Sequence, residues 1–381
     1  MTAIWLLHTV SEGGIAVRTS IGLLLLMTLL GPFSLRPLLP RARENPAPAD
    51  ARLPRCVLLA QHPAPVITVR SEGAAGNRYG FEGGRVLKLH GIYHLFTSEM
   101  VGDPIWVKMK LAHWESQDRI RWKRIATLYE SSGEFQGKDP RAALWAPMPV
   151  YDQKDGRWNL FYVAYSSQPN TKTQWRNNFA GTIWRAVSKV KGPNGIDGPY
   201  QDVGIILQPD SHSEPWEGLQ GTDSFFPYQV GNLWYGFYGS AKTEHIPIAF
   251  WGVGLASAPA PAGPWKRCAR LNPLKIEKVF AENPVVTQLG DGTYAAVYDS
   301  NVPNAIGYTW SADGVHWSAG EAIDVQPQGT GKWADDVRTP LGLIPEGGNR
   351  FTTFYTGYQK PPGTTGMGVA GVGFVTLEVK R

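Results

Sequence analysis

Four acidic positions recur at one place in a repeated pattern. Glu82, Asp223, Glu282 and the pair Asp335/Asp336 each open a short apolar strand that runs into an aromatic-rich hairpin. A fifth start of the same kind carries Trp145, and two of the acidic starts add an arginine, Arg85 and Arg338. Carboxylates crowded at one mouth raise one another's pKa, so one holds a proton near neutral pH while another stays a base. That pairing performs general acid-base hydrolysis: one carboxyl protonates a leaving oxygen, the other activates water or attacks carbon. Trp, Tyr and Phe around such a mouth offer flat apolar faces on which a sugar ring stacks. The bland alternative is a capped turn or a local ion pair, Glu82 with Arg85 or Asp336 with Arg338. One shared position for all four acids argues against it. Asp118 and Asp313 are different, since their places in S-x-D-x-x-x-W corners make them turn formers.

The elements that must position these acids can be read from five segments. They begin at Phe81 (FEGGRVLKLHGIYHLFTS), Leu144 (LWAPMPVYDQKDGRWNLFYVAYSS), Thr222 (TDSFFPYQVGNLWYGFYGS), Ala281 (AENPVVTQLGDGTYAAVYDS) and Asp335 (DDVRTPLGLIPEGGNRFTTFYTG). Each reads as a β-hairpin, turning at His90-Gly91, Asp155-Gly156, Gly231-Asn232 or Asp291-Gly292 in the first four. A further hairpin half follows four of them and ends in a corner: Ser116-Asp118-Trp122, Gly198-Pro199-Tyr200, Gly263-Pro264-Trp265 or Ser311-Asp313-Trp317. Starts at Glu82, Trp145, Asp223, Glu282 and Asp336 are spaced by 63, 78, 59 and 54 residues. These spacings predict an all-β fold, a five-bladed β-propeller of four-stranded antiparallel blades. A β-sandwich does not explain five units with matching internal order. The last unit has only 46 residues, so it lacks a strand, and Val66–Val69 (VITV) is the expected supplier.

Composition agrees and excludes other classes. The 381 residues are 43% apolar and only 18% charged, with 43 Gly, 30 Pro and 15 Trp, which suits many turns and short strands better than helices. The net charge of +5 sits mostly in residues 1–70, where seven Arg face three acids, so the remainder is nearly neutral. No nucleic-acid partner is expected. The two cysteines, Cys56 and Cys268, are too few for a zinc site of their own; they are either separate thiols or one disulfide. The eight histidines show no ligand spacing, so no metal or other cofactor is expected, with an ion in the central channel left open. Ile21–Leu30 (IGLLLLMTLL) is a signal-peptide-like core behind Arg18, and the absence of charge between Arg18 and Arg36 keeps a membrane tether through 18–36 open. The expected organisation is a signal peptide or anchor over 1–35, a Pro/Ala/Arg-rich linker over 36–65 and the propeller over 66–381, outside the cytoplasm.

The segment from Leu144, with Trp-Ala-Pro ahead of a hairpin carrying Asp-Gly and aromatics, resembles the second-blade motif of glycoside hydrolase family 43. Glu-Asn-Pro-Val-Val from Glu282, the Gly263-Pro264-Trp265 corner and SADGVHW from Ser311 resemble elements of family 43 and of the related families 32 and 130. The resemblance covers residues 75–381 and implies a carbohydrate substrate cleaved by a base in blade one and an acid in blade three, with a blade-two aspartate tuning them. This chain departs from that pattern. Glu82 stands at the base position, Met148 replaces the blade-two aspartate, and blade three offers Asp223 while the glutamate, Glu282, lies in blade four. The expectation is an inverting glycosidase with Glu82 as base and Asp223 or Glu282 as acid. Arg85, Trp145, Met148, Asp336 and Arg338 would contact substrate. The alternatives are a family 130 type phosphorylase using Arg85, Arg141 and Arg338 for phosphate, and a non-catalytic sugar-binding propeller.

Overall fold

The computed structural model describes residues 53–326, 333–360 and 368–380. Signal and tether expectations over 1–35, and the linker as far as 52, lie outside them.

The described chain is all-β. A leading strand, β1 (Arg55–Gln61), precedes the repeats. The first unit supplies β2 (Gly80–Leu89), β3 (Ile92–Met100), β4 (Met109–Ser116) and β5 (Lys123–Glu130). The second gives β6 (Ala143–Asp152), β7 (Arg157–Ser166), β8 (Phe179–Lys191), a 3-10 turn (Pro193–Asp197) and β9 (Tyr200–Leu207). The third contains β10 (Asp223–Val230), β11 (Leu233–Ala241), β12 (Trp251–Ala258) and the short β13 (Lys266–Arg267). The fourth contains β14 (Ala281–Gln288), β15 (Tyr294–Ser300), β16 (Ala305–Ser311) and β17 (Glu321–Asp324). The last has β18 (Asp336–Gly347), β19 (Arg350–Gln359) and β20 (Val369–Lys380).

Within each unit the strands pair antiparallel in chain order. The middle strands are aromatic-rich and buried on both faces, as in β7, β15 and β19. The outer strand β9 alternates between half-buried and exposed positions, the mark of a strand with one face in water. First strands touch in a ring, β2 with β6, β6 with β10, β10 with β14, β14 with β18 and β18 with β2. The arrangement is propeller-like, with the unit starts brought together at its centre. Where first and last units meet, one parallel pair joins Gly80 to Ala370. A Cβ at Gly80 would lie 1.9 Å from the Ala370 carbonyl oxygen, and its φ of +98° is also a glycine conformation.

The last unit is completed by a strand that the composition hid. β1 pairs antiparallel with β20, Arg55 opposite Lys380 and Gln61 opposite Val375. It lies inside the stretch read as linker, so the expected boundary at residue 66 falls too late. Val66–Val69 does not form the missing strand; Ile67 makes only an isolated bridge to Val372. Cys56 and Leu58 of β1 pack on the main core, and Cys56 and Cys268 are free thiols. Burial, with the nearby Glu321, pushes the Cys56 thiol up to about 12. The corners are turns as expected: Asp118 accepts from the backbone N–H of Ile120 and Arg121, Asp313 from Val315 and His316. Among the described residues no helix is long and apolar enough to cross a membrane.

Candidate active site

A repeated irregularity aims the site residues inward. In every first strand the pairing with its neighbour slips by one residue near the start: after Glu82, Trp145, Asp223, Glu282 and Val337. In four of the five the next residue is left-handed: Gly83 (φ 69°), Ala146 (49°), Ser224 (50°) and Asn283 (51°). Such bulges bend the strand and re-aim the preceding side chain. Holding a left-handed Ala or Ser costs about 1–2 kcal/mol each, which the surrounding structure must over-determine. Hydrogen bonds between neighbouring units do so: Ala146 N–H donates to Ser98 Oγ at 2.9 Å, and Asn283 N–H to Ser224 Oγ at 3.2 Å.

The cavity these bulges surround has a volume of about 210 Å³ and is lined by Glu82, Trp145, Asp223, Glu282, Asp336 and Arg338, among others. Six of the eight sequence-predicted residues therefore come together. Within that group Asp336 is out of register. The slip places Val337 at the position equivalent to Glu82, while exposed Asp336 and half-buried Arg338 flank it.

Arg338 is the electrostatic hub. Its guanidinium lies 3.1 Å from Asp299, 3.7 Å from Glu82 and 3.9 Å from Glu282. These carboxylates, Asp299 first, hold the arginine firmly charged. Tyr358 donates its phenolic hydrogen to Glu82 Oε2, leaving Glu82 an acceptor at the cavity wall. Glu282 is raised well above the ordinary carboxylate range by burial, then by Asp223 and Asp299, with Arg338 opposing. Among the described residues it takes no hydrogen bond, and the Arg338 guanidinium stands 3.9 Å away. Burial also raises Asp223, against donors that include Tyr165 and the Ser224 N–H. Asp299 is held at about 6, by burial first and in spite of Arg338.

The aromatic wall is built from loops as well as strands. Trp106 and Trp175 come from loops and lie 5.9 Å apart by ring centroids, and Trp251 opens β12. The Trp145 indole N–H donates to the Trp106 backbone carbonyl at 3.0 Å, fixing the Trp145 ring.

Two predicted contacts are elsewhere. Arg85 lies three residues along β2, its guanidinium on the Pro149 carbonyl at 2.6 Å and 4.9 Å from the Phe226 ring, and it does not line the cavity. Burial pulls it down to about 10. Met148 is fully buried in the main core. It forms no pocket wall. Met148→Asp therefore places an unpaired charge among apolar side chains, and a loss of about 4 kcal/mol or more is expected in a melting experiment. Unchanged stability would mean that the position reaches water.

Sequence reasoning missed Asp299, Tyr358 and the loop tryptophans. The signal for Asp299 was cross-strand: it pairs directly with Glu282. Tyr358 pairs with Asp336, one step before the equivalent Val337–Gly357 pair of the last unit.

No protein-family model matches the chain, and no curated protein matches it by sequence. Solved structures do resemble it in fold. A family 117 glycoside hydrolase of Zobellia galactanivorans superposes with a TM-score of 0.55 at 14% identity, over 86% of this chain and 90% of that one. An α-L-arabinofuranosidase from Lactobacillus brevis gives 0.52 at 14% identity, over 81% and 91%. A thermostable family-43 glycoside hydrolase gives 0.50 at 14% identity, over 83% and 96%. The fold is thus one that glycoside hydrolases of families 117 and 43 use, at a distance where sequence likeness has faded.

Proposed function

We propose that the chain is a five-bladed propeller glycosidase that cleaves plant or microbial oligosaccharides. Glu82 is the base and Glu282 the acid. The observation that carries this reading is the contrast between two neighbouring carboxylates around one arginine. Glu82 is an acceptor held by Tyr358 and Arg338, whereas Glu282 is pushed toward its protonated form by burial and by Asp223 and Asp299. A carboxyl raised toward its protonated form suits the acid, and one that accepts a hydrogen bond at the cavity wall suits the base. The blade count is supported by the five first strands that touch in a ring. The two acids project from separate units, and we favour inversion, with a water between base and anomeric carbon. The solved glycoside hydrolases of the same fold support the substrate class.

The test is turnover of nitrophenyl glycosides and plant oligosaccharides with and without phosphate, the product anomer being followed by NMR. Phosphate-dependent turnover would favour a phosphorylase. Against that reading, its three arginines stand apart: Arg141 is tied to Asp202 at 2.8 Å, Arg85 lies off the cavity, and only Arg338 lines it. Stoichiometric glycan binding without product would favour a binding module. Export, with residues 18–36 as signal or anchor, belongs to the same proposal, and N-terminal sequencing of the native protein checks it.

A pH prediction follows from the charges. Asp223 raises Glu282, so Asp223→Asn should lower the Glu282 pKa and move the alkaline limb of kcat/KM to lower pH. An unmoved or alkaline-shifted limb would remove Glu282 as the acid.

A further inference from the structure

A second cluster of chemistry-bearing side chains lies away from the cavity, on the β3–β4 hairpin. His94 and Glu115 are direct cross-strand partners, and His113 lies two residues along β4 from Glu115, on the same face. Asp197, the last residue of the Pro193–Asp197 turn, reaches them from the second unit. None of the four lines the cavity at the centre.

The geometry points to a zinc-class divalent cation site in which His94 Nδ1, His113 Nε2 and the Glu115 carboxylate are ligands and Asp197 orients His113. His94 Nδ1 is 3.1 Å from His113 Nε2 and 3.1 Å from Glu115 Oε1, and the third edge of that triangle is 4.0 Å. Tetrahedral zinc with bonds of about 2.0–2.1 Å places its ligand atoms roughly 3.3 Å apart. One donor atom from each of the four groups fits within 4.8 Å of all the others. Three acceptor-capable atoms converge on one point where His94 Nδ1 has at most one proton to share between two of them. A cation removes that conflict.

A second observation agrees. His113 is fully buried, and its other nitrogen, Nδ1, has no hydrogen-bond partner. Asp197 Oδ1 stands 3.5 Å from it, placed to receive an Nδ1–H when Nε2 ligates, as ligating histidines commonly require. Phe96 stacks on the His113 ring at 4.3 Å and fixes its plane. Two nitrogens with carboxylates suit zinc and its neighbours rather than calcium or magnesium, which take oxygen. The ion has a way in, since the Glu115 and Asp197 side chains are 26% and 52% exposed. Bound there it would clip the first unit's hairpin to the second unit's turn. No spacing signal revealed this in the sequence: His94 sits on the partner strand, 19 and 21 residues from His113 and Glu115.

The experiment uses the full chain without a histidine tag, stripped with EDTA and titrated with zinc chloride by calorimetry. One zinc per chain is expected, with a raised melting temperature in zinc. Glu115→Gln, at the rim, should melt like the parent in EDTA but lose affinity by at least about 10–100-fold, the loss typical of even an outer-shell partner. His94→Gln should do the same, while Glu282→Gln should bind zinc as the parent does. Substoichiometric zinc in the parent would overturn the inference. So would binding that survives both Glu115→Gln and His94→Gln, or binding abolished by Glu282→Gln, which would place the ion at the cavity.

Discussion

Glu82→Gln and Glu282→Gln should each lower turnover by about 10²–10⁴-fold while leaving the melting temperature nearly unchanged. The amide keeps the shape and most hydrogen bonding but cannot transfer a proton. Glu282 is crowded by Asp223 and Asp299, so removing its charge relieves repulsion, and Glu282→Gln should melt at the same temperature or slightly higher. Glu82→Gln keeps an acceptor for Tyr358, so its cost to the fold is small. The two variants should differ with the leaving group. A nitrophenolate departs without a proton, so Glu282→Gln should recover much of its activity on nitrophenyl glycosides relative to natural linkages. Glu82→Gln should be equally poor on both, because water must still be activated. Were both variants active and less stable, these acids would be turn caps and the reading of the cavity would fail. Rescue of Glu82→Gln but not Glu282→Gln by a good leaving group would exchange the two roles.

The unit pattern was legible because hairpin turns and aromatic middle strands are local features. His90-Gly91, among the weaker turn signals, is a two-residue turn with φ of 49° and 85° between Leu89 and Ile92, the geometry of a tight hairpin connection. The common position of Glu82, Trp145, Asp223 and Glu282 was legible too, and the shared bulge explains why. Two positions come out differently. The family resemblance sets Met148 beside the cavity, at the place of the blade-two aspartate, but the side chain is buried in the main core. In the last unit no left-handed residue follows Val337, and the motif was aligned one residue early, on Asp336. Asp299, Tyr358 and the His94–His113–Glu115 group were out of reach for a different reason. Each belongs to its cluster through cross-strand pairing, and register between strands leaves no mark on a single linear pattern.

The fragment 53–381 should melt above the fragment 63–381, because β1 covers the outer edge of β20 from Val375 to Lys380. That edge carries Val375, Leu377 and Val379, all nearly or fully buried, and pairs with β1 from Arg55 to Gln61. Loss of β1 removes the partly buried Cys56 and Leu58 from the main core, about 1.5–3 kcal/mol for an aliphatic side chain fully buried. It also removes ladder hydrogen bonds, about 0.5–1.5 kcal/mol net for each. A total loss of roughly 5 kcal/mol is a large share of the about 5–15 kcal/mol that holds an ordinary domain together. A drop of roughly 7 °C in melting temperature follows at the usual unfolding entropy per residue for a chain of this size. The bared edge of β20 would also invite pairing between chains, so the short fragment should aggregate as it unfolds. Bridging by Ile67 to Val372 remains in both fragments and offers too few contacts to replace a seven-residue strand. Equal melting of the two fragments would show that residues 63–69 suffice to close the ring, and that β1 is an accessory edge.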